Sequence, residues 1–181
     1  MDEFIFLKNY TSIKLFLNNK RFRTCKIIHL NWVNHLDNNQ IYYLNKSLFK
    51  RFPKYKCNKT YSFVKSMLRG HIPNIKINNN HIINQNFESC NSFGLKKKFL
   101  NIIHTDKPDY NYYYIDHFYS KSTEEFINKI NRGDCFYGNN TKLNLYWIKR
   151  YFSINEITLY KINYFEKNTG INLSYFRKLI K

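Results

Sequence analysis

"IDHFYSKSTEEFINKINRGDC", residues 115–135, is the stretch on which the fold class turns. Its first residues close a run of β-formers, "YNYYYIDHF" (110–118), that reads as a strand. The period then changes. Ser122 and Glu125 form an S-x-x-E capping box, Phe126 and Ile130 share one helical face, and Gly133 supplies a stop. A strand leading into a capped helix points to an α/β chain, and this one carries His117, Lys121 and Arg132 at close spacing.

Outward from this stretch the same signals recur. "EFIFL" (3–7) reads as a short buried strand, and "TSIKLFLNN" (11–19) as a helix begun by Thr or Ser. "CKIIHLNW" (25–32) is strand-like and "VNHLDNNQ" (33–40) a polar loop. "SLFKRF" (47–52) gives a helical turn ended by Pro53, and "TYSFVKSML" (60–68) a strand. "RGHIPNIKI" (69–77) turns at Gly70 into a further short strand, "NNNHIINQN" (78–86) is loop-like, and 86–109 carries no clear period. The C-terminal "LNLYWIKRYFSINEITLYKINYFEKNTG" predicts one or two amphipathic helices. The expectation is a single α/β domain over 1–181, a mixed sheet with flanking helices and a helical closure from 136.

With 43% hydrophobic and 19% aromatic residues, 181 residues can bury a core. The formal charge of +18 favours polyanionic partners, unless it only reflects Lys-rich usage. Cys25, Cys57, Cys90 and Cys135 stand far apart with no C-x-x-C, which argues against zinc and against a disulfide framework; buried thiols in a reducing compartment are expected. No signal-peptide pattern or membrane-length apolar run is visible, so a cytoplasmic chain with no membrane span is expected.

Two stretches hold candidate chemistry. Asp2 and Glu3 stand directly before a hydrophobic strand, where hard divalent cations take oxygen ligands; acidic residues after an initiator Met are also commonplace. Trp32 and the loop through Asp37 would offer a sugar an aromatic face and polar groups, with a core tryptophan as the plainer reading.

In order, "DEFIFLKNYTSIKLFL", "IIHLNWVNHLDNN…LFKRF", "VKSMLRGHIPNI…NNNHI" and "IDHFYSKSTEEFINKINRGDC" resemble successive blocks of glycosyltransferase family 92 and its family 2-like viral and bacterial relatives. The resemblance covers roughly 2–135, and the last block is the most specific: His, Lys and Ser before a helix ending Arg-Gly. It implies a GT-A fold and transfer of a hexose-type sugar from a nucleotide-sugar donor to a glycan, lipid or protein acceptor, with Mn²⁺ or Mg²⁺ as cofactor. Residue by residue it implies Asp2 and His117 at the metal, and His117, Lys121 and Arg132 at the donor diphosphate, where cations and a helix N-terminus offset developing charge. On the acceptor side stand Trp32, Lys65, Arg69 and His81, with Asp37 as base and Asp106, Asp109 and Asp116 as rivals. A basic strand edge is the ordinary alternative for Lys65 and Arg69.

The departures set the expected activity. Only Asp2 remains of the family's D-x-D pair, the nucleotide-binding front half is not seen, and the Asn-Pro-His block reads "NNNHI" around His81. A partial GT-A architecture with little or no turnover alone is therefore expected. A catalytically dead, acceptor-binding remnant is the second reading. A basic nucleic-acid-binding protein is the third; no recognisable nucleic-acid motif supports it, so no nucleic-acid partner is expected.

Overall fold

The computed structural model describes residues 2–57, 61–72, 88–96, 104–106, 108–133 and 141–180. The chain forms two compact units, each discontinuous in sequence. One comprises Met1–Val33 and Cys57–His117, the other Asn34–Lys56 and Phe118–Lys181. The class is mixed α/β, as expected.

The first unit is built on a sheet. Strand β1 (Glu3–Leu7) pairs antiparallel with β7 (Tyr113–His117), β7 neighbours β2 (Ile27–His35), and β2 pairs antiparallel with β4 (Tyr61–Leu68). β4 in turn pairs antiparallel with β6 (His104–Asp106), while β5 (Ser89–Cys90) lies parallel to the start of β2. β2 is buried on both faces from Ile27 to Val33, as a central strand must be. Ile28, Leu30 and Trp32 alternate onto one face and pack with Phe16, Phe22, Tyr113 and Ile115. Phe16 comes from the short helix α1 (Ile13–Leu17), whose N-cap Ser12 accepts a hydrogen bond from the Leu15 amide.

The cysteine expectation is corrected here. Cys25 and Cys90 form a disulfide, with Cα atoms 5.7 Å apart and a sequence separation of 65. The parallel register that sets Ile28 beside Cys90 brings the β5 cysteine to the start of β2, a proximity that cysteine spacing alone does not encode. Cys57 remains a free, partly buried thiol.

The second unit is largely helical. It contains α2 (Leu48–Arg51), β3 (Tyr55–Lys56), α3 (Thr123–Arg132), α4 (Thr141–Ile154), α5 (Leu159–Thr169) and α6 (Ser174–Arg177). The expected polar loop at 33–40 is shorter than anticipated: β2 runs on to His35, because Asn34 and His35 pair with Lys56 and Tyr55 of β3. The His35 ring also stacks on Phe118 at 4.0 Å.

The capping box of α3 forms as expected, with reciprocal bonds between Ser122 and Glu125 and Gly133 at the C-cap. Glu125 is additionally bound by the guanidinium of the buried Arg51. Burial opposes the Glu125 charge, but hydrogen bonds from Arg51 and Ser122 outweigh it and hold the carboxyl below its usual range. Phe126 and Ile130 face a core shared with Ile148, Tyr151, Phe152, Ile162, Phe165 and Phe176. The stretch expected to form one or two amphipathic helices forms two, α4 and α5, and the short α6 follows it. Among the described residues, no helix is long and apolar enough to cross a membrane.

Candidate functional site

The two blocks at opposite ends of the family resemblance meet in the first unit. β1 and β7 pair so that Glu3 stands opposite His117, and Glu3 Oε1 lies 3.8 Å from His117 Nε2. Local sequence explains why: "EFIFL" and "YYIDH" are both short β-forming runs, and their antiparallel pairing places the start of one beside the end of the other. Asp2, half-buried, immediately precedes this junction.

Two further candidates complete the cluster. The Lys65 ammonium lies 3.3 Å from Glu3 Oε1 and 5.3 Å from the Trp32 ring centroid. Trp32 lies against His117, ring centroids 4.0 Å apart, and against Phe63 at 5.2 Å. Trp32 and His117 are 6% and 4% exposed, so they form the floor; the Glu3 and Lys65 side chains, 30% and 22% exposed, form the rim. Trp32 is therefore a core aromatic rather than an open sugar platform, which was the plainer of its two readings.

The donor set falls short of a metal site. Among the described residues no group of three or more His, Cys, Asp and Glu side chains is placed to hold a metal ion. The Glu3 carboxylate is already neutralised by the Lys65 ammonium at the point where a divalent cation would act. A carboxylate paired with Lys65 and a single histidine do not fit the oxygen-ligand set of the implied Mn²⁺ or Mg²⁺.

The other site candidates are dispersed. Asp37 is 2% exposed and lies in the second unit, closed in by its own partners. Lys161 Nζ is 2.7 Å from its Oδ2, the Tyr151 hydroxyl donates to the same oxygen, and the Asn39 amide donates to Oδ1 at 2.9 Å. A carboxylate so enclosed holds its loop in place; it is not presented to an acceptor hydroxyl. Burial raises the Tyr151 phenol first, and the Asp37 charge raises it further, so that hydroxyl remains a proton donor. Of the rivals, Asp116 is buried in β7, and Asp109 is bound by the Ser92 hydroxyl at 3.0 Å and the Asn111 amide at 3.0 Å. Asp106 belongs to β6.

Arg69 donates to the carbonyls of Phe22 at 3.0 Å and Cys25 at 3.3 Å, a structural use of its charge. Arg132 is exposed in the last turn of α3, where a cation complements the helix dipole. Lys121 is half-buried just ahead of the N-cap and has φ +51°, a left-handed conformation uncommon for a residue with a side chain. His81 lies outside the described residues.

Sequence reasoning missed Lys161, which is completely buried, and its bond to Asp37. It also passed over the tyrosines at 42, 160 and 164, although Tyr160 and Tyr164 stand one helical turn apart. No protein-family model, curated protein or solved structure matches this chain.

Proposed function

We propose that the chain is a glycosyltransferase-related protein with a partial GT-A-like sheet. Its Glu3–Lys65–His117–Trp32 cluster is the surviving edge of a nucleotide-sugar diphosphate site. The observation that supports the reading is the register of β1 against β7, which brings together the "DEF" and "IDH" blocks on which the resemblance rests.

In this reading the Lys65 ammonium supplies the positive charge that faces a diphosphate, and the Glu3 carboxylate and Trp32 ring fix its direction. His117 lies behind Glu3 and orients its carboxylate. Asp37, expected as the acceptor base, is enclosed by Lys161 and Tyr151, and Glu3 is paired with Lys65, so turnover by the chain alone is slow or absent. The Cys25–Cys90 bond favours an oxidising compartment over a cytoplasmic one.

Calorimetry with UDP, with Mn²⁺ and separately with EDTA, tests the site, and a donor-hydrolysis assay tests the turnover. Binding that persists in EDTA and weakens at least tenfold on Lys65→Ala is expected. Absence of any nucleoside-diphosphate binding to the folded chain at millimolar concentration would refute the proposal.

A further inference from the structure

The second unit carries a cluster of tyrosines. The Tyr42 and Tyr160 hydroxyls are 2.9 Å apart, and the Tyr42 ring meets Tyr164 edge-on with centroids 5.7 Å apart. The Tyr160 and Tyr164 rings stand nearly parallel, 17° apart in plane, with centroids 6.5 Å apart. Tyr42 and Tyr160 are 52% and 54% exposed. Scattered single aromatics on a surface need no explanation, but three in mutual contact make a patch.

The patch is held in place. The loop bearing Tyr42 is tied to the start of α3 by backbone bonds from Thr123 to Gln40 (3.0 Å) and from Glu124 to Ile41 (2.9 Å). The Tyr43 amide donates to the Glu124 carboxylate at 2.7 Å. Tyr160 and Tyr164 sit on α5, whose Ile162 and Phe165 are anchored in the core. Rings fixed in this way lose little conformational entropy when a ligand stacks on them.

Local charge narrows the ligand. The chain carries +18 overall, yet the Glu124 carboxylate stands beside this patch, where it accepts the Tyr43 amide. The Tyr42 phenol is pushed up chiefly by its hydrogen bond with Tyr160, then more weakly by neighbours that include Glu124. Tyr164 is raised by burial first and then by Glu124. A carboxylate beside the rings disfavours phosphate-bearing ligands, nucleic acid included. A neutral ring with a flat C–H face and several hydroxyls suits the patch, because aromatic faces cover the apolar side and the phenol hydroxyls meet the ring's hydroxyls.

We propose that Tyr42, Tyr160 and Tyr164 form a stacking platform for a neutral sugar ring of a glycan. This sugar-binding platform does not rest on the glycosyltransferase-related reading above.

The test uses the full chain with neutral β-linked tetrasaccharides of glucose, N-acetylglucosamine and N-acetyllactosamine, read by saturation-transfer NMR and calorimetry. At least one is expected to bind. Tyr42→Ala and Tyr160→Ala should each weaken it about tenfold or more, with thermal melting and UDP binding unchanged, and Tyr160→Phe should retain most of the stacking. Both Ala variants remove exposed rings, so a folding failure would not imitate the result; a melt confirms this. The proposal is overturned if no tetrasaccharide binds at millimolar concentration or if both Ala variants bind like the parent. It is also overturned if an oligouridylate binds the parent and is released by the same substitutions. Sugar binding without UDP binding would refute the diphosphate site and leave the platform standing.

Discussion

Replacing Lys161 with methionine removes the ammonium from the Asp37 pair while keeping a side chain of similar length. Lys161 is completely buried and Asp37 is 2% exposed, so neither charge is solvated by water. The ammonium is held by Asp37 Oδ2 at 2.7 Å, Asn39 Oδ1 at 2.6 Å and the Glu156 carbonyl at 3.0 Å. Without it, the Asp37 carboxylate keeps the Tyr151 and Asn39 donors but has lost its counter-charge. Breaking a buried pair from one side costs about 3–5 kcal/mol. A protein of this size has about 5–15 kcal/mol of total stability, so the loss is a large fraction of it. Urea unfolding at neutral pH, followed by tyrosine and tryptophan fluorescence, measures the change as a shift in midpoint at constant slope. The double variant Asp37→Asn/Lys161→Met removes both charges and should be far less destabilised than the sum of the two single changes. A Lys161→Met loss below about 1 kcal/mol, the value of an exposed pair, or strict additivity in the double variant would refute the reasoning.

Three more outcomes are expected. His29 is held by burial at about 4, below its ordinary 6.5, with its Nδ1 2.8 Å from the Ser66 hydroxyl. The unfolded chain therefore binds more protons between those values, so stability is fully present above pH 6.5 and is lost as pH falls toward 4, by at most about 3 kcal/mol; His29→Asn should flatten this slope in pH-dependent urea melts. Reducing Cys25–Cys90 opens a loop of 65 residues and should lower stability by about 4 kcal/mol in the chain-entropy account, read by comparing melts with and without a phosphine reductant; an unchanged midpoint would show that the bond constrains nothing. Gly94 has φ +78°, and a Cβ there would lie 2.6 Å from the Arg21 carbonyl oxygen, so Gly94→Ala should cost about 1–3 kcal/mol in the same assay.

Local chemistry made some elements legible and left others silent. The α3 capping box, the Ser12 start of α1 and the Pro53 stop each depend on neighbours within a few residues, and each forms where the sequence places it. The last three residues of β2 were hidden because Asn34 and His35 look like loop residues until β3 supplies their partners. The disulfide was hidden for the same reason: parallel pairing of β2 with β5 is a long-range event with no signature in cysteine spacing. At the candidate site, Glu3 and His117 could be named from motif, but the closeness of Lys65 to both Glu3 and Trp32 follows from strand register. Asp37 was legible as an acid in a polar loop; its burial depends on Tyr151 and Lys161, which no local pattern links to it.

The discontinuity of the second unit has a consequence for biosynthesis. Its first piece, Asn34–Lys56, emerges from the ribosome well before the helices that complete it. Asp37 waits for Tyr151 through 114 residues of translation, which at cellular rates lasts roughly 6–23 s. During that interval the nascent segment carries a carboxylate with no counter-charge and the apolar core residue Phe52 with no finished core. The Cys25–Cys90 crosslink needs only the earlier part of the chain and can close first. The C-terminal helices are then the late-arriving counterpart that releases an early segment from a prolonged unfolded wait, and a nascent chain stalled before Lys161 should be the species that chaperones retain.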